Sequence, residues 1–204
     1  DVTKIDVYLK RKKITYKEVL KKETLHVSEA YDTEDSIKYI TYGDTPKDVP
    51  NIKGFLHRRS NVDKITKLGQ EVVYYYERKS FDIKIYNNYQ KLDLTSYEKE
   101  FDRQVNHKYG ARLEYGDFIS NRDGFSFNNT LTQNLFIDDK DNQELNIYYL
   151  RNKYNYTINI NIMNIYGYYD HYESITKQGY YEQKLNELAT QIAQKDVKIK
   201  EQIG

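Results

Sequence analysis

Val72-Val73-Tyr74-Tyr75-Tyr76-Glu77-Arg78-Lys79 is an apolar run centred on tyrosine that leaves through a basic exit. In an extended chain successive side chains point to opposite faces, so a run this short and this rich in Val and Tyr reads as a β-strand. Two other segments share the design: Ile5-Asp6-Val7-Tyr8-Leu9-Lys10-Arg11-Lys12 and Leu145-Asn146-Ile147-Tyr148-Tyr149-Leu150-Arg151-Asn152-Lys153. From Lys12 to Lys79 is 67 residues and from Lys79 to Lys153 is 74. A unit of about 70 residues therefore repeats along the chain.

Inside each unit the order of landmarks is also repeated. A Tyr-Gly-Asp step (Tyr42-Gly43-Asp44, then Tyr115-Gly116-Asp117) precedes a Gly-Phe step (Gly54-Phe55, then Gly124-Phe125), and the Tyr-rich strand closes the unit. The chain then parses as the last strand of a preceding unit (1–12), repeat A (13–79), repeat B (80–153), and a strand-rich start of a further unit (154–204). Repeat B opens with the period-two run Phe81-Asp82-Ile83-Lys84-Ile85-Tyr86, and the last segment opens alike with Tyr156-Thr157-Ile158-Asn159-Ile160-Asn161-Ile162. Closing strands pass into opening strands within two or three residues, and such short junctions imply a semi-rigid array rather than beads on a string.

Helical spacing enters at three places. Val19, Leu20 and Leu25 lie among Lys and Glu in Tyr16 to Leu25, and Leu94, Tyr97, Phe101 and Val105 recur at three and four, with Thr95 or Ser96 as N-cap. After Gly179 the period changes: Tyr181, Leu185, Leu188, Ile192, Ile199 and Ile203 predict a helix over 180–203 with no breaker inside it. A heptad assignment sets Leu185, Leu188, Ile192 and Ile199 on a seam, together with Lys195 and Gln202, so self-association as a coiled coil and packing on its own domain both stay open. The expected class is α+β.

Composition narrows the chemistry. Among 204 residues 23 are Tyr, one is Met, and none is Cys or Trp. That excludes disulfides, thiolate zinc sites and cysteine nucleophiles. Lys plus Arg at 32 against Asp plus Glu at 31 leaves +1, so no global field draws nucleic acid to the chain. Hydrophobic content of 38% and a mean hydropathy of −0.92 describe a polar chain, but with two prolines and many Tyr and Ile it reads as folded, strand-rich modules with small cores. No run approaches the roughly 18 apolar residues of a membrane span, so direct membrane insertion is not expected. A chain opening on Asp1 reads as a piece of a longer protein.

No phosphate loop, nucleophile elbow or paired-histidine zinc motif is present, so no catalytic residue, cofactor or metal is expected. His26, His57, His107 and His171 are scattered. The acidic run Asp138, Asp139, Asp141 and Glu144 lacks the spaced ligands and central glycine of a calcium loop and reads as a solvated turn. Two features suit partner or glycan contact: Phe55 with His57-Arg58-Arg59, and the tyrosines Tyr166, Tyr168, Tyr169, Tyr172 and Tyr180.

The matching landmarks (Phe81 to Tyr86, Tyr109-Gly110 or Tyr115-Gly116, Gly124-Phe125-Ser126-Phe127 and Leu145 to Leu150, with Tyr42-Gly43, Gly54-Phe55 and Val72 to Tyr76 in repeat A) resemble the tandem β-grasp repeats of Gram-positive surface proteins. These are the internalin-type B repeat and the mucin-binding-protein repeat, although neither unit carries the tryptophan usual after the Gly-aromatic step of B repeats. The resemblance implies an elongated array of ubiquitin-like units outside the cell. The expected function is a non-catalytic stalk or adhesion fragment of a surface-exposed protein that meets a host or neighbouring-cell protein or glycan. A virion or phage fibre component oligomerising through the terminal helix, and a glycan-binding accessory module, are the alternatives.

Overall fold

The structure, a computed structural model, describes residues 3–25, 31–184 and Thr190. The chain opens into β1 (Lys13–Glu23), β2 (Tyr31–Thr41), β3 (Phe55–Ser60) and β4 (Gln70–Arg78), which form one mixed sheet in the order β2-β1-β4-β3. β1 runs antiparallel to β2 and parallel to β4, the latter from Tyr16 opposite Gln70 to Lys22 opposite Tyr76. β3 returns antiparallel on β4, with a bulge between His57 and Arg59.

The scheme then recurs. β5 (Ser80–Gln90), β6 (Tyr97–Lys108), β8 (Phe125–Phe127) and β10 (Gln143–Arg151) form a sheet in the order β6-β5-β10-β8. Between them β7 (Arg112–Leu113) pairs with β9 (Leu135–Phe136), and Tyr115–Phe118 makes a 3-10 turn. β11 (Lys153–Met163) and β12 (Tyr169–Tyr180) form an antiparallel hairpin. Second, first, last and third strand is thus the order in both four-stranded sheets, and the last hairpin has the arrangement of β1 with β2.

The chain divides into two compact units: Asp1–Ile83 with Gln104–Leu113 and Leu135–Gln143, and Lys84–Arg103 with Glu114–Asn134 and Glu144–Gly204. In the first, Tyr16, Ile65, Val72, Tyr74 and Tyr76 form a buried cluster flanked by Ile14, Leu20, Ile40, Ile52, Phe55 and Val62. A single sheet has no second layer to bury its face, so the irregular chain from Tyr42 to Gly54 lies over it, and tall Tyr side chains span the gap. Their hydroxyls find backbone there: Tyr76 donates to the Pro50 carbonyl at 2.6 Å, and Tyr74 reaches the Asp48 carbonyl at 3.5 Å. In the second unit Ile85, Tyr89, Leu145, Ile147 and Tyr149 are buried. Tyr149 stacks on Tyr89 at 5.0 Å, and its hydroxyl accepts from the Ser120 N–H at 2.8 Å. Ring body inside and hydroxyl on loop backbone is how Tyr supplies a thin core without an orphaned polar group.

The α+β expectation is corrected. The architecture is all-β, 56% strand and 3% helical, with no complete α-helical turn and no coiled coil among the described residues. Leu94 to Val105 is not a helix: Leu94 lies in a turn with φ 60, and β6 starts at Tyr97, because a spacing of four keeps Tyr97, Phe101 and Val105 on one face of a strand as well as of a helix. Asp93, not Thr95 or Ser96, is the local cap: its carboxylate accepts from the Thr95 and Ser96 N–H groups, both at 2.8 Å, and closes the β5–β6 turn. The stretch from Tyr16 to Glu23 lies in β1, where Val19 and Leu20 fall on opposite faces, and Pro46 and Pro50 bar a helix from the chain between β2 and β3. The helix expected over 180–203 fails at its start, since Tyr180 ends β12 and Glu182 turns with φ 62. Leu185, Leu188, Ile192 and Ile199 lie outside the described residues.

Candidate functional site

β3 carries the first group of expected contact residues, and the strand separates them. Phe55 is half-buried under the Arg78 guanidinium, 4.9 Å from the ring centre. Arg58, in the bulge, pairs with Glu77. His57 leans edge-on against Tyr76 at 5.7 Å and Tyr74 at 6.0 Å. Arg59 alone joins an outward cluster, its guanidinium 4.2 Å over the Tyr75 ring. Lys21 lies 5.4 Å from the same ring, and Tyr31 meets it edge-on at 5.4 Å.

Tyr75, Tyr31 and Lys21 were not in the expected set. Alternation points to Tyr75, because its buried neighbours Tyr74 and Tyr76 leave it only the opposite face. Tyr31 and Lys21 become neighbours only through strand pairing. A comparable outward pair stands in the second unit, where Tyr97 meets Tyr148 edge-on at 5.2 Å. Flat aromatic faces flanked by cations can take a sugar ring with acidic substituents or an acidic peptide.

The second expected group gathers at the β11–β12 turn. Asn164 organises it, its Oδ1 accepting from the Tyr166 and Tyr168 N–H groups, both at 3.0 Å. Tyr166, Tyr168 and Tyr169 are 78%, 71% and 70% exposed, and Ile165 just before them is 92% exposed. Tyr172 follows on β12 and is also exposed. Tyr180 does not belong to this patch: it is half-buried at the far end of β12, with the Lys153 ammonium 5.2 Å from its ring.

A third arrangement was only partly legible. At the end of β4, Arg78 donates from Nε to the Glu23 carbonyl at 2.8 Å and from a terminal nitrogen to the Tyr109 carbonyl at 2.9 Å. The Tyr109 ring lies on Gly54, where φ is 78 and a Cβ would overlap the ring. Phe55 meets that ring edge-on at 5.9 Å. The Tyr109 N–H donates to Lys79 and the Lys79 N–H to Gly54, at 2.8 and 2.9 Å.

The second unit repeats this clasp atom for atom. Arg151 donates to the carbonyls of Gln90 at 3.1 Å and Tyr181 at 2.8 Å, and Tyr181 covers Gly124 and meets Phe125 edge-on at 5.9 Å. The Tyr181 N–H donates to Asn152 and the Asn152 N–H to Gly124, at 2.9 and 2.8 Å. A partial copy joins Arg11 to the Tyr42 carbonyl at 3.3 Å and the Tyr42 N–H to Lys12 at 2.8 Å. The counterpart of Tyr42-Gly43 is therefore Tyr109-Gly110, not Tyr115-Gly116. Both Gly43 and Gly110 donate into a buried isoleucine, Ile65 and Ile137, at 2.8 Å.

Acidic groups brace the first clasp. Asp139 takes the Lys79 ammonium at 2.8 Å and the Gly54 N–H at 2.9 Å, and these bonds, the ammonium first, hold its carboxyl below the usual range. Burial alone would raise the Glu23 carboxyl, but bonds from Lys108 and from the Arg78 N–H overcome it and lower the pKa. Asp138 pairs with Lys53 at 2.8 Å, so the acidic run contributes ion pairs rather than open metal ligands. A cavity of about 500 Å³ beside the buried Glu18 is lined by Tyr16, Lys38, Tyr39, Asp44 and Lys47. Ser36 and Lys38 reach the Glu18 carboxylate at 3.3 and 3.6 Å.

Among the described residues no group of three or more His, Asp or Glu could hold a metal ion, and no helix is long and apolar enough to cross a membrane. No family model matches the chain, and no curated protein matches it in sequence.

Proposed function

We propose that this chain is a non-catalytic spacer and adhesion element of a surface-exposed protein, in which repeated sheet modules add length and outward aromatic and basic residues supply weak, multivalent contacts. The observation that carries the reading is the clasp: the same Arg, Tyr, Gly and Phe contacts recur at Gly54/Arg78/Tyr109 and at Gly124/Arg151/Tyr181. A structural fastener copied once per module, with no reacting group in it, suits a repeated spacer better than a catalyst. Small-angle scattering on the 204-residue chain is the test. An extended profile is expected, and a compact globule would remove the spacer reading.

A glycan-binding accessory role has one observation in its favour, the stack of Arg59 on Tyr75 with Tyr31 at its edge. Screening a glycan array with the intact chain and with Arg59→Ala separates the two. Binding to acidic glycans that vanishes in the variant would favour the accessory role, and an array blank for both would leave the spacer.

A further inference from the structure

Glu18 stands in the middle of β1 on the face that carries the core, between Tyr16 and Leu20 and opposite Val72 of β4. It is 7% exposed. Burial, and after it the Glu18 charge, raises the Tyr16 and Tyr76 phenols, so the carboxylate lies among the rings of that core.

The second sheet has no acid in that place. Glu23 and Gln90 correspond in the two clasps and stand 67 residues apart, and 67 beyond Glu18 is Ile85, which is 0% exposed. A carboxylate taken out of water is costly unless close donors surround it. The donors at Glu18 stand back: the Ser36 hydroxyl and the Lys38 ammonium both reach Oε1, at 3.3 and 3.6 Å. Charge-assisted bonds from an ammonium run to about 2.7–2.9 Å.

The same carboxylate borders the cavity of about 500 Å³, which is formed wholly by residues between 16 and 50, in a sheet whose four strands are all in place. A single water takes about 30 Å³, so the space suits an organic molecule rather than a bare ion. Ile40, Pro46 and Pro50 give it an apolar wall, and Asp44 and Asp48 set two more carboxylates against Lys38 and Lys47. We propose that this cavity binds a small organic ammonium ion, with the charged nitrogen on the Glu18 carboxylate and the carbon skeleton against Ile40, Pro46 and Pro50. The ligand supplies the close donors that Ser36 and Lys38 do not, and Lys38, whose side chain is 49% exposed, swings out to water to admit it. Repeat A is then a binding unit, and repeat B, with Ile85 in that place, is not.

Amide chemical-shift titration of the 204-residue chain tests this with butylammonium, 1,4-diaminobutane and glucosamine, against sodium chloride and sodium butyrate at equal ionic strength. At least one amine is expected to give saturable shifts at Tyr16 to Glu18, Lys38 to Ile40 and Asp44 to Asp48, and neither salt is. Glu18→Gln keeps the shape without the charge and is expected to weaken binding about tenfold or more. Glu18→Ile is expected to abolish the shifts without lowering the urea midpoint, as Ile85 holds the same place in the second sheet. Lys38→Met removes the resident cation and is expected to tighten binding several-fold, which a loss of folding could not do. No saturable shift with any of the three amines, binding unchanged in Glu18→Gln, or weaker binding in Lys38→Met would each overturn the proposal. So would saturation by either salt, since butyrate would assign the cavity to anions through Lys38 and Lys47, or a lowered midpoint in Glu18→Ile, since Glu18 would then serve the fold. None of these readouts depends on the length of the array, so the spacer reading can fail or stand apart from them.

Discussion

The 23 tyrosines resolve into distinct jobs once their neighbours are known. Tyr76 is inside with its hydroxyl on the Pro50 carbonyl, Tyr75 is outside under Arg59, and Tyr109 is a lid on Gly54. The first two follow from alternation, and the third does not, because no spacing rule connects positions 54 and 109. Losing the hydroxyl bond in Tyr76→Phe is expected to cost about 1 kcal/mol in urea unfolding. Burial raises the Tyr74 and Tyr76 phenols to about 12 from the ordinary 10.0. A raised acid favours the fold while it stays protonated, so their contribution is intact below pH 10 and is lost as pH rises toward 12. Alkaline unfolding is expected to begin in that window and to shift upward in Tyr76→Phe; an unchanged midpoint would show that these phenols do not govern it. Gly54→Ala is expected to destabilise by about 1–3 kcal/mol, since φ is 78 and the Cβ meets the Tyr109 ring. Gly116→Ala is its control, having nothing within 4 Å. Equal stability losses for the two would mean that Tyr109 does not sit on Gly54.

Strand patterns were legible wherever period two was unbroken, as in β5, β10 and β11, and the repeated Gly-Phe landmarks stand at the starts of β3 and β8. What misled was spacing by four, which fits either period, and the choice between them fell to the turn that precedes the element. For β6 that turn is built by Asp93, whose carboxyl is lowered to about 2 by the Ser96 hydroxyl first and then by the Ser96 and Thr95 N–H groups. A depressed carboxyl stabilises the turn only while ionised, so its contribution is complete above its ordinary value of 3.8 and fades as pH falls toward 2. The protection of the Thr95 and Ser96 amides, measured against their intrinsic exchange rates at each pH, is therefore expected to fall across that range. In Asp93→Asn the acid dependence should be gone; its persistence would assign the effect to another carboxylate.

At the scale of the whole molecule the repeat was visible in sequence, but what recurs most faithfully was not. Position 109 pairs with 54 in one clasp and 181 with 124 in the next, and each needs the Arg that ends its closing strand, β4 or β10. The second clasp tolerates Asn152 for Lys79 and Gln90 for Glu23, because each pair supplies the same bonding atoms: the Asn152 and Lys79 N–H and C=O, the Gln90 and Glu23 carbonyls, and a side-chain oxygen of Gln90 or Glu23 that accepts from the N–H of Arg151 or Arg78. Arginine is not replaceable in the same way. Its fork serves two carbonyls while its plane lies on a phenylalanine, 4.9 Å from Phe55 in one clasp and 4.8 Å from Phe125 in the other. Arg78→Ala strands the Glu23 and Tyr109 carbonyls and is expected to cost about 2 kcal/mol, and Arg151→Ala a similar amount. The two share no partner, so the double variant is expected to lose their sum within about 0.5 kcal/mol in denaturant unfolding. A loss well beyond the sum would mean that the clasps are coupled through the sheets between them rather than acting as separate fasteners.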